Sequence, residues 1–338
     1  MRAYQLAKGG AGIEALAVTE RPDPKPSYRQ VVVKVAACSL NFRDLGIVRG
    51  TYRMPVRDNI IPLSDGAGEV IAVGGGVTRV KVGDKVAGCF FQRWPGGEPP
   101  PDVQANALGG AIDGMLAEYV LLEEEGVVKL PPHLSIEEGA TLPCAAVTAW
   151  HAMIEHAQLI AGQTVLLQGT GGVSVFGLQL ARAMGIQAIV TSSSDAKLAR
   201  AKQLGAAHGI NYKTTPDWDK AAMEFTQSRG VDHVVEVGGA GTLAKSFGAI
   251  RVGGRISMIG GLSGAATELD PRLIMARRAN IQGISVGSTQ MFEALNRAIA
   301  ASKIKPVIDK VFGFDEARAA YQHMASGAHF GKIVIRVS

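Results

Sequence analysis

A chain of 338 residues, 47% of them apolar, exceeds what one simple core accommodates, so two domains are expected. Its 42 glycines suit a buried parallel sheet with many tight turns, and its net charge of +5 comes from scattered basic residues, which gives no case for nucleic acid as a partner. No apolar run reaches the ~18 residues of a membrane span, and the three cysteines, Cys38, Cys89 and Cys144, stand too far apart for a disulfide framework or a C-x-x-C pair.

The first ten residues, MRAYQLAKGG, lack the apolar core of a signal peptide, so a soluble cytoplasmic protein is the expectation. Residues 1–124 read as short strands and turns. VVVKVA (31–36) and GAGEVIAV (66–73) are apolar strands, the latter closed by three glycines. Val82-Gly83-Asp84-Lys85 turns into a strand over 86–90, and GMLAEYVLL (114–122) is another. Residues 92–106, with four prolines and two glycines, form a loop. This irregular β pattern predicts a separate N-terminal domain.

From about residue 125 helix and strand alternate. Helices are predicted at 135–140, where Ser135 and Glu138 make a capping box, and at 145–156. Then comes TVLLQGTGGVSVFGLQLARAMGIQAIV (164–190): an apolar strand, a glycine cluster, an amphipathic helix and a second strand, one βαβ unit. Gly169 permits a sharp turn, and Gly171 removes the side chain that would block a ligand. The helix that follows aims free N–H groups and its positive dipole end at that point, a site for a pyrophosphate. Ser174 stands where G-x-G-x-x-G has its third glycine. The second strand ends in Thr191-Ser192-Ser193-Ser194, with no acid to hold a ribose 2′-hydroxyl. Asp195 comes late, and either it or Ser194 reads as a cap for a helix beginning at Ala196. Lys197 is either a point charge for a 2′-phosphate or a solvated lysine. Hydroxyls plus Lys197 favour NADP(H), with NAD(H) as the alternative. Further strands at 208–211, 233–237, 255–259 and 280–286 alternate with helices at 197–204, 218–227 and 242–249. The result is a doubly wound six-stranded parallel sheet. The tail from about Ser288 supplies two helices and a last strand, 332–337, expected to return to the N-terminal domain. An exposed edge strand at 280–288 predicts a homodimer.

Several blocks in order carry a resemblance: Leu40-Asn41-Phe42-Arg43-Asp44, Gly66-Ala67-Gly68-Glu69-Val70, Val82-Gly83-Asp84-Lys85-Val86 and Leu116-Ala117-Glu118-Tyr119-Val120. Ala146-Val147-Thr148-Ala149-Trp150, Ile210-Asn211-Tyr212, Gly253-Gly254-Arg255 and Phe330-Gly331-Lys332-Ile333-Val334 complete it. Over nearly its whole length the chain resembles the medium-chain dehydrogenase/reductase family, and within it the zinc-free quinone oxidoreductase and enoyl reductase-like branch. The resemblance implies an α/β architecture: a mostly β GroES-like catalytic domain from residues 1–124 and 289–338, and a Rossmann doubly wound domain over 125–288.

Zinc enzymes of that family hold catalytic metal with a Cys, the His of a G-H-E motif, a Glu, and another Cys or Asp. Here the first position is Asn41 and the G-H-E position reads Leu63-Ser64-Asp65. Only Cys144 and Asp65 fall where ligands could be, and no cysteine lies between Cys89 and Cys144 for a structural zinc lobe. Cys144 reads as a packing residue. Without a Lewis acid, an activated alkene or quinone is an easier hydride acceptor than an alcohol is a donor. The expected activity is therefore zinc-independent, NADPH-dependent reduction of a quinone or α,β-unsaturated carbonyl. Alternatives are an NAD(P)-dependent alcohol or aldehyde dehydrogenase and a non-catalytic NADPH-binding protein.

By the same resemblance Asn41 hydrogen-bonds near the nicotinamide or its ribose, or else braces its loop. Tyr52 donates a proton, or lines an apolar cleft without chemistry. Arg43 and Asp44 pair or brace the loop. Thr148 faces the nicotinamide, while Gly171, Gly172 and Val173 hold the pyrophosphate. Ser193, Ser194, Lys197 and Tyr212 surround the 2′-phosphate, and Val237 lies by the adenosine. Ile259, Gly260 and Gly261 approach the nicotinamide ribose, and Lys332 reaches a phosphate across the cleft.

Overall fold

A computed structural model describes residues 1–262, 264 and 268–337. The chain divides into two compact units, Met1–Val147 with Val286–Ser338, and Thr148–Ser285. Among the described residues no helix is long and apolar enough to cross a membrane.

The first unit is organised on strand Gln30–Ser39, whose VVVKVAACS run is buried at nearly every position. It pairs antiparallel with Asp65–Val73, Tyr119–Glu123 and the last strand, Lys332–Arg336. The sheet continues through Lys85–Gly88 to Val127–Lys129 on one side and through Ile308–Gly313 on the other, seven strands in all. A Cβ on Gly68 would lie 1.9 Å from the Lys34 carbonyl oxygen, so only glycine lets these two central strands approach so closely. The tail strand returns as expected, Val334 opposite Ser39. Residues 125–147, assigned from the sequence to the second domain, belong to this unit because Val127–Lys129 pairs with Lys85–Gly88.

Helix Phe42–Arg49 is not among the elements expected from the sequence. Its entry is fixed by the Asn41 backbone N–H donating to the Asp44 carboxylate at 2.8 Å, and its exit by Gly50 at φ 70°.

The second unit is a six-stranded sheet, every pairing parallel. Across the sheet the order is His208–Asn211, Gln187–Ser192, Thr164–Gln168, Val231–Glu236, Ile250–Met258, Asn280–Gly283. In order of appearance that is 3-2-1-4-5-6, the doubly wound arrangement that leaves a ligand crevice at the carboxyl ends of the first and fourth strands. Strand Thr164–Gln168 is buried throughout, as a central strand covered on both faces must be. Helix Pro271–Arg277, absent from the sequence reading, connects the last two strands.

Within this sheet His233 is fully buried, its Nε2 2.9 Å from Ser257 Oγ, which also lies 2.8 Å from His156 Nδ1. Burial, then His156 and Arg255, press the His233 pKa from 6.5 down to about 3. Between those two values the unfolded chain binds the proton and the folded chain does not, so stability falls as pH falls through that window. Roughly 3 kcal/mol should be lost between pH 6.5 and pH 4 from this residue. Urea titrations across that range, with His233→Asn as the flattened control, measure it.

Candidate active site

Chemistry-bearing side chains gather in two places, one in each unit. In the second unit the chain leaves strand Thr164–Gln168 through Gly169 at φ 74°, a conformation that side chains resist. Gly171 then caps helix Gly172–Ala183 with no side-chain bond to its first turn, which leaves N–H groups open. A Cβ built on Gly171 meets nothing within 4 Å. Ser174 is buried and donates to the Gln168 carbonyl at 2.6 Å, so it ties the helix to the strand where a third glycine would only have let them approach.

The pair Gln168 and Glu236, which the sequence reading missed, braces the ends of the two central strands. Glu236 is fully buried. Its Oε2 accepts from Gln168 Nε2 at 2.7 Å and from Ser246 Oγ. Its Oε1 accepts from the N–H groups of Gly238 and Gly239 at 2.8 and 2.9 Å and from Thr242 Oγ1 at 2.5 Å. Gln168 Oε1 in turn takes the Val237 and Gly238 N–H groups. The only hint in the sequence was a lone acid closing an apolar run before two glycines. Val237, Ile259, Gly260 and Gly261 are brought together here. Ile259 N donates to the Glu236 carbonyl, and a Cβ on Gly260 would sit 2.6 Å from the Val237 carbonyl oxygen.

Beside them, strand Gln187–Ser192 ends without an acid. Ser194, not Asp195, caps the next helix, Asp195–Gln203, by accepting the Lys197 N–H at 3.4 Å. Asp195 is engaged otherwise, accepting from Asn211 Nδ2 at 2.8 Å. Tyr212 donates its backbone N–H to the Ser192 carbonyl and leaves its ring 43% exposed. Ser193, Ser194 and Lys197 therefore follow the end of this strand directly, and the Tyr212 backbone is bonded to it at Ser192. An open helix N-terminus, a bare glycine and this strand end fit a dinucleotide. Gly171→Ala tests the fit. The backbone there, φ −77°, accepts alanine and nothing crowds the new methyl. The melting temperature should hold, while the Kd for NADPH, read by quenching of tryptophan emission, should rise at least about tenfold as the methyl meets the pyrophosphate.

The first unit holds a buried charge cluster. Strand Lys332–Arg336 delivers Lys332, 2% exposed, beside Asp65, which is fully buried at the start of strand Asp65–Val73. Lys332 Nζ donates to Asn41 Oδ1 at 2.6 Å and to the Leu40 carbonyl at 2.8 Å, and lies 3.4 Å from Asp65 Oδ2. Asp65 also accepts from Ser64 Oγ at 2.8 Å and from the Cys144 N–H at 3.2 Å. The three ammonium protons thus have acceptors inside this unit, a different employment from the phosphate contact expected of Lys332.

Next to it Arg43 lies between the rings of Tyr52 and Phe90, its guanidinium carbon 4.9 Å from each centroid. It donates to the Leu108 carbonyl at 2.9 Å and pairs with Asp44 at 3.3 Å. Burial raises the Asp44 pKa to about 6 against the opposing pull of Arg43. Arg43 therefore does brace this loop, and it fixes the Tyr52 ring while doing so.

This donor set does not fit a zinc ion. Among the described residues no three His, Cys, Asp or Glu side chains converge. Asp65 is occupied by an ammonium, a hydroxyl and an N–H, and Asn41 gives its oxygen to the same ammonium. Burial, followed by the charge of Asp65, pushes the Cys144 thiol well above its ordinary range, which disfavours the thiolate a metal needs.

Two family models match the chain, an alcohol dehydrogenase GroES-like domain over residues 27–132 and a zinc-binding dehydrogenase over residues 172–301. A zinc-type alcohol dehydrogenase-like protein of Schizosaccharomyces pombe is 46% identical, over 91% of this chain and 91% of that one. The quinone oxidoreductase of Homo sapiens is 29% identical, over 99% and 97%. A solved NAD-dependent alcohol dehydrogenase superposes with a TM-score of 0.90 at 32% identity, covering 100% of both chains. With its GroES-like unit and its Rossmann NAD(P)-binding unit, the chain belongs to the medium-chain dehydrogenase/reductase family of oxidoreductases.

Proposed function

We propose that this oxidoreductase reduces a quinone or an α,β-unsaturated carbonyl at the expense of NADPH, without a zinc ion. The observation that carries the reading is the Lys332 ammonium engaged with both Asp65 and Asn41, two positions where zinc relatives offer metal ligands. An alcohol needs a base or a metal to become an alkoxide before it can release hydride. An enone or quinone needs neither and accepts hydride directly. A bound reduced nicotinamide supplies that hydride. The chain's own residues place the nucleotide on Gly171, Gly172 and Val173 and keep its 2′-phosphate among Ser193, Ser194, Lys197 and Tyr212. Val237, Ile259, Gly260, Gly261 and Thr148 line the rest of its course. Tyr52, steadied by Arg43, supplies the proton after hydride uptake. The absence of an acid at the end of strand Gln187–Ser192, with Asp195 engaged by Asn211, supports NADPH over NADH.

Alcohol oxidation is the second reading, favoured by the names of the fission-yeast relative and of the solved NAD-dependent enzyme. One experiment separates the two. Metal-analysed protein is offered enones and quinones with NADPH or NADH, and alcohols with NADP⁺ or NAD⁺, and absorbance of the reduced nicotinamide is followed. Consumption of NADPH with an enone or quinone, indifferent to chelator, is expected. Stoichiometric zinc with alcohol turnover would overturn the proposal, and tight NADPH binding without any turnover would favour a non-catalytic role. We further propose a homodimer joined through strand Asn280–Gly283, which ends the sheet and is largely exposed. Light scattering at the monomer mass of 35.4 kDa would refute it.

A further inference from the structure

We propose that Lys332 is the positioning residue that decides which way the Asn41 carboxamide faces. Held so, the amide presents its N–H pair to the carbonyl oxygen of the hydride acceptor. The inference rests on the reductase reading above.

An ammonium only donates, so the Asn41 atom 2.6 Å from Lys332 Nζ can only be the oxygen. The usual ambiguity between the two ends of an amide is therefore removed by chemistry. The Leu40 carbonyl and Asp65 take the other two protons, which keeps the ammonium from swinging away. The backbone of Asn41 is pinned as well, its N–H on Asp44 and its carbonyl on the Asp44 N–H. What remains is Asn41 Nδ2, buried and without a protein partner, on a residue 8% exposed. Nδ2 is thus the one hydrogen-bonding group of Asn41 that no protein atom satisfies, and a ligand atom or an ordered water is what completes such a donor.

Hydride uptake at the β-carbon of an enone moves the alkene pair toward the carbonyl, so that negative charge collects on its oxygen. The α-carbon later takes a proton, and the net change is one hydride from the reduced nucleotide and one proton added across the double bond. A fixed N–H pair at that oxygen, polarised from behind by an ammonium, is most useful when the charge has formed. The same pair cannot take a proton from an alcohol. It thus selects carbonyl acceptors over alcohol donors.

Three variants test this at 15 °C: Asn41→Asp, Lys332→Met and the double. Asn41→Asp keeps an oxygen for Lys332 and loses the donor pair. It should retain its melting temperature and lose about 100-fold or more in kcat for an enone, with KM for NADPH little changed. Lys332→Met should melt lower but, while folded, lose at least about tenfold in kcat, and the double variant should be no slower than Asn41→Asp. Wild-type kcat in folded Lys332→Met, or losses that multiply in the double variant, would overturn the assignment. A readout without turnover uses protein labelled with ¹⁵N at asparagine. The Asn41 side-chain pair, identified by its loss in Asn41→Asp, should shift when cyclohexenone is added with NADP⁺, and should not shift in Lys332→Met. If the wild-type protein reduces no enone yet this pair moves, the reductase reading fails and the amide assignment stands. A pair that stays still sinks the assignment whatever the activity.

Discussion

Replacing Asp65 by alanine should cost about 3–5 kcal/mol, because it strands the Lys332 ammonium inside the protein. The pair is almost wholly shielded, 0% and 3% exposed at the two side chains, so no solvent screening softens the loss. Asn41 and the Leu40 carbonyl would still accept from the ammonium, but neither carries charge. The same truncation frees the Ser64 hydroxyl and the Cys144 N–H, both now bonded to that carboxylate. Lys332→Met alone should cost a similar amount for the opposite reason, an unpaired buried carboxylate. The double variant, Asp65→Ala with Lys332→Met, should recover most of the sum, since removing both charges together leaves neither unpaired. Urea midpoints for the four proteins close the cycle. An Asp65→Ala protein within about 1 kcal/mol of wild type would mean that the ammonium finds water or another acceptor and that the cluster is not a fixed element.

That cluster marks the boundary of what the sequence discloses. The missing metal ligands could be read directly: Asn41 for a cysteine, Ser64 and Asp65 for a histidine and a glutamate. What fills their place could not, because Lys332 reaches Asp65 from 267 positions away in the chain. The resemblance sends the lysine that opens the run KIVIR to a phosphate, whereas in the folded strand, paired with Gln30–Ser39, it is buried against Asn41 and Asp65. The nucleotide-binding sheet was legible for the contrary reason. Its strands are continuous apolar runs and its first turn needs Gly169, so local pattern and final structure agree. Helix Phe42–Arg49 escaped notice because it is short, carries Gly46 inside it and leaves Phe42 52% exposed, so no apolar stripe announces it. The strand expected over 255–259 begins earlier, at Ile250, and ends at Met258. Gly253 does adopt φ 73°, yet the strand continues through it.

Glu236 offers the corresponding test in the nucleotide-binding unit, and there the effect should fall on affinity as well as on folding. Its carboxylate accepts five hydrogen bonds, and no ion pair to a lysine or arginine accompanies them among the described residues. Two of the donors are backbone N–H groups of Gly238 and Gly239, so the carboxylate sets the path of the chain just past Val237. That path matters because Gly239, at φ 80°, lies against Gly261, where an added Cβ would come within 2.9 Å of the Gly261 Cα. Glu236→Ala would take the carboxylate from all five donors, four of them buried, and leave Gln168 Nε2 with Ser246 Oγ and the Gly238 N–H with Gln168 Oε1. Bonds to a charged group contribute about 1.5–3 kcal/mol each and do not add, so a loss on the order of 4 kcal/mol is expected. Because the two glycine segments would then shift together, the Kd for NADPH should rise about 100-fold, roughly 3 kcal/mol. Glu236→Gln separates charge from shape. Its remaining oxygen can serve Gly238, Gly239 and Thr242 if the new amide nitrogen turns toward Ser246, whose hydroxyl can reverse and accept, while Gln168 Nε2 loses its bond to residue 236 and keeps Ser246 Oγ at 3.0 Å. The glutamine variant should therefore keep most of the affinity and lose only about 1–2 kcal/mol of stability. Titration of NADPH into the three proteins, beside their thermal melts, decides it. If Glu236→Ala binds the nucleotide as tightly as wild type, the ends of the two central strands hold their course without the carboxylate, and the brace is incidental to binding.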